Sequence, residues 1–296
     1  MMESTKTQIG IKTSRRDFLK TGSVAGVGIV GLSLTSGIQT VSAADQADKK
    51  IYSKEIDEGL AYFKKLAKDQ MPLIIGLKDA IASGDLDKAK KAYVDCRPPY
   101  EQIETYAGSF EETDANIDAR PYAFDEGTTS DEFRSVHRIE MLIFGEGDLE
   151  AALPYATKLI EACTQLQKDL ENRGEFWAAK NFEGMIGLSN EVACKKISSE
   201  EETWSDQSLL IFWNNWLGIQ SQIKPYYGVL SQKDTKLQDN IESAFKKCFS
   251  SIEEFYKSGI FTPYSKVSMS KRAEIVAGSN AVRDSIIAAG DKLGIM

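Results

Sequence analysis

Phe133-Arg134-Ser135-Val136-His137-Arg138-Ile139-Glu140-Met141-Leu142-Ile143-Phe144 is the stretch on which the reading of this chain turns. Phe133, Val136, His137, Glu140 and Phe144 stand at offsets of 0, 3, 4, 7 and 11, one face of an α-helix rather than the alternation of a strand. An imidazole and a carboxylate three residues apart therefore lie within an apolar stripe. Burying that carboxylate is costly unless a cation or a strong donor faces it. Two readings stay open. His137 is a core histidine satisfied by Glu140, Arg134 or Arg138, or the pair are metal ligands whose heads reach one point.

The same period extends outward in both directions, with apolar residues three and four apart and no sustained alternation of period two. No strands are expected. Helices are predicted over about 50–83, 86–110, 131–144, 148–172, 175–197, 206–230, 234–257 and 268–293, the second interrupted or restarted at Pro98-Pro99. Between the second and third, the polar segment 111–130 holds Asp118 and Arg120 and is too long for a plain hairpin loop. Ser199-Glu200-Glu201-Glu202 has the spacing of a capping box ahead of the sixth helix. The fold class is all-α: two packed four-helix bundles over residues 45–296, dividing near 174–205.

Charge and composition narrow the chemistry. The chain has 296 residues, 36 Lys+Arg against 44 Asp+Glu, and a single histidine. One imidazole excludes a three-histidine zinc site, a His-Glu-x-x-His protease and a two-histidine iron triad. Acidity without a basic cluster argues against a nucleic-acid partner and for cations. Ser14-Arg15-Arg16-Asp17-Phe18-Leu19-Lys20 looks like a twin-arginine export motif, and the uncharged stretch from Thr21 ends in the small residues Val41-Ser42-Ala43-Ala44. Residues 1–44 are accordingly expected to be a twin-arginine signal peptide, with retention as an N-terminal anchor the alternative. That leader holds Lys6, Lys12, Arg15, Arg16 and Lys20 against Glu3 and Asp17, which moves the remainder from −8 to near −11. Cys96, Cys163, Cys194 and Cys248 include no Cys-x-x-Cys pair, and either two disulfides or buried thiols satisfy the count.

A second carboxylate pair strengthens the metal reading. In Tyr100-Glu101-Gln102-Ile103-Glu104-Thr105-Tyr106-Ala107, Glu104 falls within the stripe of Tyr100, Ile103 and Ala107, with Glu101 at its edge. Glu101 also suits a first helical turn after the prolines, where the macrodipole favours an acid. Two helices then offer acid or imidazole pairs of the same spacing, as in bundle metal sites where Glu and Glu-x-x-His side chains converge.

Arg97-Pro98-Pro99-Tyr100-Glu101-Gln102-Ile103-Glu104, followed by Phe110, Asp114 and Ile117-Asp118-Ala119-Arg120, resembles the first signature of the imelysin-like family. His137-Arg138-Ile139-Glu140 resembles that family's His-x-x-Glu motif, and Leu188-Ser-Asn-Glu191-Val-Ala with Lys196-Ile-Ser-Ser-Glu200-Glu201-Glu202 a third segment. The likeness covers essentially all of 45–296, weakening toward Gly259-Ile-Phe-Thr-Pro-Tyr264, and is greatest to the family's exported iron-uptake members. It implies a helical periplasmic protein binding a metal between its bundles, with Glu101, Glu104, Asp118, His137, Glu140 and, from the second half, Glu191 as ligands. Iron, as Fe2+ or Fe3+, is the implied cargo. One imidazole among hard oxygens also suits Zn, Mn or Ca. The implied partners are an iron permease in the membrane and an exported haem peroxidase of the Dyp type.

Two departures from the family pattern stand out. Trp204-Ser205-Asp206-Gln207-Ser208 lacks the histidine and final aspartate of the family's Tyr-Ser-His-Thr-Asp run, and the helices begin too early for the N-terminal cupredoxin domain of longer members. Two further functions belong to the reading: a metal-dependent binder of acidic polysaccharide, and a metallopeptidase with a metal-bound water and a glutamate base. Trp213, Trp216, Tyr226 and Tyr227 could stack sugars, though core packing is the preferred account.

Overall fold

The computed structural model describes residues 49–198 and 201–296. The export motif, the small-residue cleavage site and Glu200 lie outside them. Helix α1 (Ser53–Ala82) is followed by α2 (Leu86–Ile103), and α3 (Glu111–Asp118) leads through two short 3-10 turns to α4 (Val136–Glu140). Then come α5 (Leu149–Asp169), α6 (Ala178–Cys194), α7 (Ser208–Ile223), α8 (Tyr227–Lys233), α9 (Thr235–Glu253) and α10 (Met269–Leu293). Helix α1 packs on α2 and α5, while α10 packs on α9 and α6. Helix α7 joins these groups, lying against α2, α6 and α9. The core is a continuous apolar body running from Ile56 in α1 to Leu293 at the end of α10.

Local chemistry accounts for most boundaries. Asp85, Asp148, Asp234 and Ser268 each accept a backbone N–H from the first turn of the helix they precede, satisfying donors that the helix itself leaves free. Gly84 closes the α1–α2 connection at φ +73°, a conformation that costs a β-carbon-bearing residue far more.

Several expectations need correcting. Helix α2 is not broken at Pro98-Pro99 but runs through both, and only at Glu104 does it tighten into a 3-10 segment ending at Ser109. Proline removes an N–H and crowds the preceding turn. Here the turn is held from the side, because Arg97, Pro99, Tyr100 and Glu101 are all buried against the rest of the molecule. The segment 111–130 is not loop throughout. Its first half is α3, whose opening turn carries Glu111, Glu112 and Asp114 where the helix dipole favours acids.

The expected helix over 131–144 begins only at Val136, capped by Ser135, and passes into a π-helical turn at Met141–Glu146 closed by Gly147 at φ +70°. Phe133 precedes the helix yet is fully buried with Val136, His137 and Glu140. A short hairpin, Tyr256–Lys257 with Ile260–Phe261, appears where no strand was expected. Ser258 and Gly259 both have positive φ, which is the backbone of a two-residue hairpin turn matched to strand twist.

The cysteines are unbridged thiols: Cys96, Cys163 and Cys248 are buried in helices and Cys194 is exposed. The aromatic residues of α7 and its continuation divide among separate packing sites. Trp216 is buried, donates to Ser279 Oγ at 3.3 Å and meets Phe249 edge-on, while Trp213 packs on Phe249 and Phe261. Tyr226 is buried against Tyr52 and Phe182.

Candidate metal centre

Two glycines let the second half of the chain close on the end of α2. A β-carbon at Gly184 of α6 would lie 2.0 Å from the Thr105 carbonyl oxygen, and one at Gly218 of α7 would lie 2.3 Å from the Gln102 carbonyl oxygen. That approach presses the turn carrying Glu101 and Glu104 into the interior. Asp118, the last residue of α3, and His137 and Glu140, on α4, meet it there.

Five of the six sequence-predicted ligands are thus brought into one buried cluster: Glu101, Glu104, Asp118, His137 and Glu140. Glu191 is not among them. It stands on α6, 39% exposed, paired with Lys195 at 3.4 Å on the rim of the pocket above.

The rest of the cluster was not singled out as ligand or counter-ion in the sequence. Arg97, 2% exposed, lies 2.6 Å from Glu101, 3.1 Å from Asp118 and 2.8 Å from Glu202. Arg120 pairs with Asp118 at 3.0 Å and with Glu201. Lys196 Nζ donates to both Glu104 oxygens, at 2.7 and 2.9 Å, and to Glu201 at 3.1 Å. Glu201 and Glu202 do not cap a helix; both turn inward, and α7 begins at Ser208 with no side-chain cap. Arg97 carried a signal, since it lies one helical turn from Tyr93 and from Glu101 on the buried face of α2.

Glu140 is held from two sides. Its Oε1 accepts the backbone N–H groups of Trp204 and Ser205, each at 2.8 Å, and its Oε2 lies 3.0 Å from His137 Nδ1. The segment lacking the family's histidine thus meets the cluster through its backbone. Asp206, at φ +61°, fixes that segment by accepting from the Ser265 N–H and hydroxyl. With Nδ1 directed at Glu140, His137 turns Nε2 toward Asp118 and Glu201.

His137 Nε2 faces Asp118 Oδ1 as an ion pair at 3.3 Å, and Glu201 Oε2 has no hydrogen-bond partner among the described residues. One ligand atom from each of Asp118, His137 and Glu201 lies within 4.8 Å of the others. A second such group is formed by His137, Glu140 and Glu202.

Electrostatics favour a cation here. Glu101, Glu104, Asp118, Glu140, Glu201 and Glu202 are buried acids, opposed by Arg97, Arg120, Lys196 and one imidazole. With every acid ionised and His137 protonated, negative charges still outnumber positive by two. Buried groups resolve such an excess by taking up protons or binding a cation. Burial, only partly offset by Arg97 and Lys196, pushes Glu101 up to about 7. Burial and the neighbouring Glu140 push Glu202 up to about 7 against the pull of Arg97. Burial also raises Asp118, but Arg120, Arg97 and His137 outweigh it and hold that carboxyl well below the usual range. His137 is pressed toward neutrality by burial and Arg120, yet Asp118 and Glu140 prevail and raise it to about 9.

A cavity of about 310 Å³ opens onto the cluster, lined by Glu104, Asp118, Arg120, Lys196 and Glu201 with Glu191 at its edge. Oxygen donors with a single imidazole fit a hard or borderline divalent ion, and no thiolate takes part.

These features define a predominantly helical protein, over its described residues, with a buried acid–imidazole centre beneath an open pocket. The chain belongs to the Imelysin family, whose profile matches residues 61–288. It is 29% identical over 266 residues to the iron uptake system component EfeO of Yersinia pseudotuberculosis, covering 88% of this chain and 69% of that protein. To EfeO of Escherichia coli it is 30% identical over 217 residues, covering 73% of this chain and 58% of the relative. To the iron uptake system component EfeM of Pseudomonas syringae it is 28% identical over 251 residues, covering 84% of each. The chain thus spans 58–69% of the length of these EfeO relatives and 84% of EfeM.

Proposed function

We propose that this chain is an exported component of an iron uptake system that carries iron as cargo in the buried acidic cluster. It passes the ion to an iron permease in the membrane and works beside an exported haem peroxidase. The observation that carries this reading is the excess of buried carboxylate charge, with Glu201 Oε2 lacking a hydrogen-bond partner among the described residues below an open pocket. The iron-uptake names of its relatives support the choice of cargo.

In this account the ion first meets Asp118, His137 and Glu201, then draws on Glu104 and Glu101. Glu191 guides it at the rim. Glu140 fixes the tautomer and direction of the imidazole, as outer-shell carboxylates do for metal-bound histidines. The centre lies where two helical bundles meet, dividing near 174–205, and the twin-arginine leader takes the chain out of the cytoplasm.

The role is binding rather than hydrolysis. In the peptidase alternative His137 and Glu140 would hold the metal and a nearby glutamate would act as base, but both Glu140 oxygens are already committed, to two backbone N–H groups and to His137. Calorimetric titration of the purified protein with anaerobic Fe2+, with Zn2+ as comparator, tests the assignment. His137→Ala with Glu140→Ala is expected to weaken binding at least tenfold, about 1.4 kcal/mol. Unchanged affinity would sink the assigned site.

A further inference from the structure

Lys196 stands out among the cations of the cluster. Its side chain is 3% exposed and its ammonium sits among carboxylate oxygens from two parts of the chain: Glu104 at 2.7 and 2.9 Å, Glu201 at 3.1 Å and Glu101 at 3.8 Å. Three acids around one small hard cation is an arrangement suited to a metal ion. The Asn215 amide completes it by donating to Glu101 at 3.1 Å and Glu104 at 2.9 Å.

A lysine is a compact charge on a flexible stem, so it can fill such a cage and leave it again without breaking a planar bidentate pair. Lys196 lies in the 3-10 turn just after α6 and lines the pocket that opens onto the cluster. Arg97 differs: it lies in the middle of α2, away from the pocket lining, held by three acids.

We propose that Lys196 is a tethered counter-ion that occupies the Glu101–Glu104–Glu201 cage when iron is absent and must swing into the pocket for iron to take those oxygens. This rests on the iron-binding reading of the site and adds how its affinity is set. With the ammonium in place, an incoming ion from the pocket meets Asp118, His137 and the unpaired Glu201 Oε2. The Glu104 oxygens are gained only by displacing Lys196. The same residue lowers the affinity for the loaded ion and speeds its release, since the ammonium returns as the metal leaves. A transfer protein benefits from that exchange: three buried acids never stand without a cation, and cargo is not held so tightly that it cannot be passed on.

The test compares purified wild-type protein with Lys196→Gln, whose amide still donates to Glu104 but carries no charge. Fe2+ affinity is measured anaerobically by calorimetry, and release is timed after addition of a strong chelator. The variant is expected to bind at least tenfold tighter, to release iron correspondingly more slowly, and to melt at a lower temperature without metal. Equal or weaker binding by a folded variant overturns the counter-ion role while leaving the metal site standing. Absence of binding by both proteins overturns the metal reading and this inference with it. A crystal structure of the iron-loaded wild-type protein decides the matter independently of any variant. Lys196 Nζ should then lie beyond hydrogen-bond distance of Glu104, with a Glu104 oxygen on the metal. An ammonium still seated on Glu104 in that structure excludes the displacement.

Discussion

Arg97 shows how much depends on single side chains here. Its buried guanidinium touches Glu101, Asp118 and Glu202 together, so its removal leaves three acids short of a partner in the interior. Breaking a buried ion pair from one side typically costs about 3–5 kcal/mol. Arg97→Met should therefore lower the urea midpoint sharply, and a midpoint within error of wild type would show that the acids are satisfied otherwise. Glu140→Gln is expected to act on orientation. It sets an amide N–H against backbone or imidazole donors, which should destabilise by about 1–3 kcal/mol and weaken Fe2+ binding by roughly 10–100-fold. A calorimetric titration paired with a thermal melt reads both effects. His137 and Glu140 were legible because their spacing places them together in a stripe of the same short segment. Glu201 and Glu202 were not, because a capping box is what that tetrapeptide favours locally. Partners roughly 80 to 105 residues away, Arg120 and Arg97, override it.

Helix α6 offers an internal contrast one turn apart. Gly184 faces the Thr105 carbonyl so closely that a methyl group has no room, whereas a β-carbon at Gly187 meets nothing within 4 Å. Gly184→Ala should force α6 away from the 3-10 segment bearing Glu104, costing about 1–3 kcal/mol, with a fall in Fe2+ affinity as the cage opens. Gly187→Ala should be neutral or stabilising by up to about 1 kcal/mol, because alanine removes backbone freedom from the unfolded chain. Denaturant titration of the two variants checks the pair, and equal losses would contradict the packing argument. Helix identity was visible in the sequence because the period of three to four persists from α1 to α10. The ends were less visible. Passage of α2 through Pro98-Pro99 and the late start of α4 both depend on what packs alongside, which no local pattern records. The hairpin at Tyr256–Phe261 escaped notice because two residues per strand are too few to show an alternation.

The cluster gathers residues from α2, α3, α4 and α7 and from the connection between α6 and α7, so it is the point where sequence-distant parts of the chain meet. Anything bound there stabilises the whole body rather than one element. A ligand that binds only the folded state at a free concentration one hundred times its dissociation constant adds about 2.7 kcal/mol. For a body of this length each kilocalorie moves the melting temperature by about 2–4 °C. Anaerobic Fe2+ at that excess should therefore raise the melting temperature by roughly 5–11 °C, with a rise that grows with concentration and disappears on chelation. In the His137→Ala, Glu140→Ala variant a tenfold loss of affinity should cut that stabilisation to about 1.4 kcal/mol, roughly halving the shift, even though that protein starts from a lower melting temperature. Differential scanning calorimetry over a concentration series separates the two contributions. A rise undiminished in the double variant would place the stabilising ion elsewhere on this acidic chain, and a wild-type melting temperature indifferent to Fe2+ would leave the carboxylate excess to be met by protons alone.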